Sequence, residues 1–194
     1  MRLLLRWTRG ILIASAVCLL GYSGFVLLDS RIFQGAEDRQ LERLLIAPGP
    51  TAQPVSFADA SPARAGGLIG RMEIQRLGIS AIVMEGTSTN TLRRALGHIS
   101  GTALPGHPGN VGISGHRDTF FRPLRNIEPN DIITLTTARG EYRYRVLSTR
   151  IVDPSDVAVL APSEKETLTL VTCYPFYFVG PAPSRFVVRA EKTG

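Results

Sequence analysis

TLTLVTCYPFYFVGPAPSRFVVRA, residues 167–190, is the stretch whose reading decides how this chain folds. Two apolar, β-branched runs, Thr167–Thr172 and Arg185–Ala190, flank a segment rich in Pro and Gly that cannot continue a strand. Taken as antiparallel neighbours joined by the loop YPFYFVGPAPS, they bring Cys173 and Arg185 to the same end of adjacent strands. A guanidinium in that position could donate to a carbonyl oxygen as it becomes negative.

Further strand-like runs precede this pair: Ile69–Ile74, Ile79–Met84, Asn110–Ser114, Asp131–Thr136 and Glu141–Val152. Glu141–Val146 alternates cleanly, with Tyr142, Tyr144 and Val146 on one face and Arg143 and Arg145 on the other. Thr89–Leu96 reads as a short helix capped by Ser88 or Thr89. Seven or eight short strands with few helices predict a mainly β domain, a small closed or nearly closed barrel, over residues 68–194.

The N-terminal third has a different composition. Gly10–Leu28 is 19 residues without a charge, close to the roughly 30 Å hydrocarbon thickness at about 1.5 Å per residue. Arg2, Arg6 and Arg9 precede it, Trp7 sits at the interface level and Asp29 closes it. The reading is a transmembrane helix with residues 1–9 cytoplasmic and the rest outside. A cleaved signal peptide is the alternative. Ala14-Ser15-Ala16 comes too early for cleavage, whereas the small residues around Gly21–Gly24 leave that alternative open. Residues 29–67 read as a helical stalk followed by a Pro/Ala/Gly-rich linker that holds the folded part off the membrane. The net charge of +6 is spread without a basic run, which argues against a nucleic-acid face.

This layout isolates Cys173. The other cysteine, Cys18, lies in the apolar span, so the two cannot form a disulfide. A free thiol outside the cytoplasm is exposed to oxidation, and its retention asks for a chemical role. A cysteine nucleophile needs a base or cation to favour its thiolate. Of the three histidines, His98, His107 and His116, the last follows the strand-like VGISG and opens GHRDTFF, where a strand end can hold it rigidly. CxxC and HxxxH spacings are absent, as is a DxDxDG loop, so no metal site is expected.

TLVTC resembles the TLxTC signature of sortases, the cysteine transpeptidases of bacterial surfaces. GHRDTFF is similar to the block around their histidine, and SRFVVRA to the strand bearing their arginine. The similarity runs from GRMEIQRLGI through GTALPGHPGN to the C-terminus. The short tail and the YPFYFVGPAP loop look most like class D sortases. The resemblance implies an eight-stranded barrel, no organic cofactor, and Cys173 as nucleophile with His116 as general acid/base and Arg185 as oxyanion-stabilising cation. Thr172 is then expected to position backbone or substrate near the thiol, and Arg117 and Asp118 to orient the histidine loop.

The implied reaction is cleavage of an LPXTG-like sorting signal through a thioacyl-enzyme, followed by transfer to an amine. That acceptor would be a cell-wall precursor or a pilin lysine. Two alternatives remain at this point: a cysteine hydrolase using water as acceptor, and a non-catalytic barrel that binds envelope peptides or assembles pili.

Overall fold

A computed structural model describes residues 2–46 and 66–193. The linker expected between the stalk and the barrel therefore falls almost wholly outside the described residues. Eight strands close into a barrel: β1 (Leu68–Ile74), β2 (Ile79–Glu85), β3 (Leu96–His98), β4 (Asn110–Ser114), β5 (Ile132–Thr137), β6 (Gly140–Val152), β7 (Thr167–Tyr174) and β8 (Ser184–Lys192). Their order around it is β1-β2-β3-β4-β7-β8-β6-β5. The β2–β3 and β4–β7 contacts are parallel and the others antiparallel. Closure leaves no edge strand to be covered.

The closed eight-stranded barrel is the one the sequence predicts. The strand that sequence reading misses is β3. Its three residues are too few to show periodicity, and Leu96 was expected to end the helix. The helix α2 spans Thr89–Arg94, with the Ser88 hydroxyl accepting from the Thr91 N–H at its start. Ala95 then turns extended, and Leu96 goes to full burial in the barrel.

Inward-facing residues of every strand fill the core, among them Met72, Val83, Leu96, Ile113, Leu135, Tyr144, Leu168 and Val188, each 0–1% exposed. The β6 alternation is borne out up to Leu147, which faces out; a register shift against β8 then breaks it, and Ser148 is exposed where an inward residue would follow. Tyr144 is large and fully buried, yet its hydroxyl has a partner. It donates to Glu166 Oε1 at 2.6 Å, the Gly106 N–H donates to the same oxygen, and Lys192 Nζ reaches Oε2 at 2.7 Å.

These donors hold the Glu166 carboxyl below its ordinary 4.5, overcoming the opposing effect of burial. A depressed carboxyl adds stability above its unfolded pKa and loses it as pH falls through the folded value. Glu166→Gln is therefore expected to cost about 2 kcal/mol at neutral pH. It should also flatten the acid limb of a melting-temperature profile below about pH 4.5. An unchanged profile would show that Glu166 is not the acid-sensitive tie.

Helix α1 runs unbroken from Arg2 to Ile46 and is long and apolar enough to span a membrane, with the side chains of residues 10–25 exposed. Its C-terminal part does not stand clear of the barrel as a stalk would. Arg94 donates to both carboxylate oxygens of Asp29, at 2.8 and 3.2 Å. Gln34 donates to the Arg94 carbonyl and accepts the Ile82 N–H at 2.8 Å. Arg71 reaches Asp38 at 3.3 Å, Phe33 packs on Ile82, Met84 and Ala95, and Leu41 is 1% exposed. The expectation of a spacer overlooked this face because its partners are separated by 33 to 65 residues in sequence.

Candidate active site

β7 lies between β4 and β8, so one row across three strands decides what meets Cys173. In the antiparallel β7–β8 ladder, Cys173 stands opposite Arg185. In the parallel β4–β7 ladder, Ser114 stands opposite Val171. The register outlasts β4 by a residue: the Gly115 N–H donates to the Val171 carbonyl at 3.2 Å, and Thr172 Oγ1 donates to the Gly115 carbonyl at 2.7 Å. His116 follows, two residues past the end of β4. Cys173 and Arg185 thus face each other across the β7–β8 ladder, with strands about 4.8 Å apart, and His116 lies past the end of β4, the strand on the other side of β7.

Leu168, Leu170 and Thr172 point into the barrel, so Cys173, of opposite parity, faces outward. It is half-buried, while His116 is exposed. Neither the thiol nor the imidazole has a hydrogen-bond partner among the described residues. The Arg185 guanidinium uses one nitrogen, donating from Nη1 to the carbonyls of Ser184 (3.1 Å) and Ala182 (3.4 Å). Its Nε and Nη2 donors remain unpaired among the described residues. Beside it, Ser155 hydrogen bonds hold Asp153 below the usual carboxylate range, and the charge of Arg185 adds to the effect.

The three supporting residues expected from the sequence lie close by, in roles the sequence did not specify. Thr172 is 2% exposed and braces the strand exit before His116 instead of facing the thiol's side of the sheet. Arg117, 7% exposed, sends its guanidinium to the loop after β7: Nη1 donates to the Pro175 carbonyl at 2.9 Å and Nη2 to those of Phe178 and Gly180. Asp118 is exposed and pairs with Arg117 Nε at 3.5 Å. Arg117 therefore ties the loop that carries His116 to the loop between Cys173 and Arg185. Below that loop, Tyr174, Phe176 and Phe186 form an aromatic wedge with centroids 5.2–6.3 Å apart. The wedge escaped sequence reading because Phe186 belongs to the other strand.

A buried arginine spanning two loops should matter for alignment more than for stability alone. Arg117→Ala is expected to leave Cys173 open to alkylation while turnover falls on the order of a hundredfold, as for an ångström-scale misplacement. Near-normal turnover with the fold intact would show that the two loops hold their alignment without it.

Residues 72–193 match the sortase-domain family model. The chain belongs to the sortase family. Sortases are cysteine transpeptidases that anchor surface proteins or pilins, and this chain is accordingly an enzyme of that type. Among its relatives, Sortase D of Bacillus subtilis is 33% identical over 191 residues, covering 93% of this chain and 95% of that one. Among solved structures, a Sortase D5 transpeptidase of Clostridium perfringens aligns with a TM-score of 0.62 at 29% identity, over 68% of this chain and 82% of that one. Sortase C of Clostridium perfringens SM101 aligns with a TM-score of 0.61 at 25% identity, over 81% and 85%. The class D likeness seen in the tail and the long loop agrees with the first two.

Proposed function

We propose that Cys173 is the nucleophile, His116 the general acid/base and Arg185 the oxyanion donor of this sortase. The cross-strand pair Cys173–Arg185 supports the reading, with His116 two residues past the end of the neighbouring strand β4 as the candidate base for an outward-facing thiol. The Cys173 thiolate attacks the carbonyl carbon of the scissile bond, and the oxygen takes up the negative charge beside the unpaired guanidinium donors. The C–N bond then breaks, and the leaving amine takes its proton from His116. A thioacyl-enzyme remains. An incoming amine attacks that thioester, gives its proton to His116 and expels the thiolate.

The donor in this proposal is an LPXTG-like sorting signal cut between Thr and Gly, and the acceptor is a cell-wall precursor or a pilin lysine. The enzyme is a single-pass membrane protein with a cytoplasmic N-terminus, residues 10–28 in the bilayer and a catalytic domain over 68–194 outside. The unbroken apolar helix and the arginines before it support this orientation.

Product analysis tests the choice of acceptor. A fluorogenic LPXTG peptide supplied with diglycine and with lysine-bearing peptides is expected to give amide-joined product in excess of hydrolysed peptide. Hydrolysis alone, whatever amine is offered, would establish water as the acceptor.

A further inference from the structure

The docking of α1 fixes which side of the barrel turns toward the bilayer. Asp38 meets Arg71 on β1, Gln34 meets Ile82 on β2, and Asp29 meets Arg94 at the end of α2. Arg71 and Ile82 are ladder partners, and Val83, the next residue, pairs with Leu96 at the start of β3. These contacts follow one row of the sheet, so α1 crosses the strands from β1 toward β3 on its way down to the apolar span. The bilayer then begins beyond β3, where β4 and β7 come next around the barrel.

The segments that follow those two strands combine exposed apolar side chains with exposed arginines. The loop after β7 exposes three consecutive large apolar side chains, Tyr177 at 72%, Phe178 at 43% and Val179 at 95%. The segment after β4 ends in a 3-10 turn, Arg122–Asn126, whose Arg122 and Arg125 are exposed, and the Arg125 guanidinium lies 5.5 Å over the Tyr177 ring. Arg93, on α2 beside the Asp29 contact, is exposed as well. Apolar side chains rimmed by arginines match an interface of acyl chains below anionic headgroups.

We propose that the tip Tyr177–Phe178–Val179, with Arg122 and Arg125, rests in the headgroup region of the membrane that α1 spans, holding the Cys173 end of β7 toward the bilayer surface. The proposal rests on residues 10–28 being the membrane span. Arg117 gives the contact its reach, since the loop whose tip would touch lipid is the one it ties to the His116 loop.

Trp7 is the single tryptophan, which permits a direct test in the full chain. Three proteins would be reconstituted in phosphatidylglycerol–phosphatidylcholine vesicles carrying brominated acyl chains. They are the unaltered chain, Val179→Trp and Leu147→Trp, the last two with Trp7→Phe. Leu147 is an exposed residue of β6, separated from β7 by β8 and, unlike position 179, in a strand and not at a loop tip. The expected result is quenching of Trp7, quenching with a blue-shifted emission in the Val179→Trp chain, and no quenching in the Leu147→Trp chain. Water-like emission without quenching at position 179, with Trp7 quenched, overturns the loop contact and leaves the anchor standing. Equal quenching at 147 and 179 overturns the fixed orientation. An unquenched Trp7 overturns the anchor on which the proposal rests.

Discussion

Cys173→Ala is expected to abolish both cleavage and joining, with a loss on the order of a millionfold, as for removal of a covalent nucleophile. Alanine offers no atom that can form the acyl bond, and water activated by His116 alone lacks the thiolate's nucleophilicity. The fold should tolerate the change. The thiol is half-buried and makes no hydrogen bond among the described residues, so the loss is one sulfur's worth of packing, about 1 kcal/mol. Circular dichroism should show an unchanged barrel with a slightly lower melting temperature. Intact-mass measurement of the unaltered enzyme with substrate should show an acyl adduct on Cys173, absent from the variant. Retained joining by Cys173→Ala would remove this residue from the mechanism. Cys18→Ala is the matched control, since that cysteine lies on the exposed apolar face of α1.

The sequence made the Cys173–Arg185 pairing legible because both residues sit at the end of a recognisable strand. Thr167–Thr172 and Arg185–Ala190 alternate and are bounded by Pro and Gly, so their pairing could be written down before any coordinates existed. That β4, the strand leading to His116, runs beside β7 was not legible in the same way. The contact is parallel, and the two strands are separated by more than fifty residues and by two other strands. Parallel pairing leaves no hairpin turn to read. Here the motif resemblance supplied what periodicity could not. Docking of α1 was invisible for a related reason. Its polar contacts, Asp29, Gln34 and Asp38, look like the solvated face of any surface helix, and only the tertiary fold reveals Arg94, Ile82 and Arg71 opposite them. Arg117 read as a neighbour of the histidine, whereas its guanidinium is spent on carbonyls about sixty residues away.

Arg185→Lys should separate charge from geometry. Arginine presents a planar fork of five donors, and here the fork is divided: Nη1 is held by the Ser184 and Ala182 carbonyls, while Nε and Nη2 have no partner among the described residues. The held nitrogen restricts the guanidinium before substrate arrives. Lysine keeps the charge but has a single flexible ammonium, which would have to leave those carbonyls to reach an oxyanion. Losing one directed oxyanion donor costs about 3 kcal/mol, a rate drop on the order of a hundredfold or more. The loss should fall on kcat more than on KM, because the donor matters most once the carbonyl oxygen carries charge. Alkylation of Cys173 by iodoacetamide passes through no tetrahedral oxyanion and should proceed nearly as in the unaltered enzyme. Near-normal turnover in Arg185→Lys would reduce this arginine to a strand-end charge. A parallel collapse of alkylation would instead assign it to stabilising the thiolate that lies opposite it across the β7–β8 ladder.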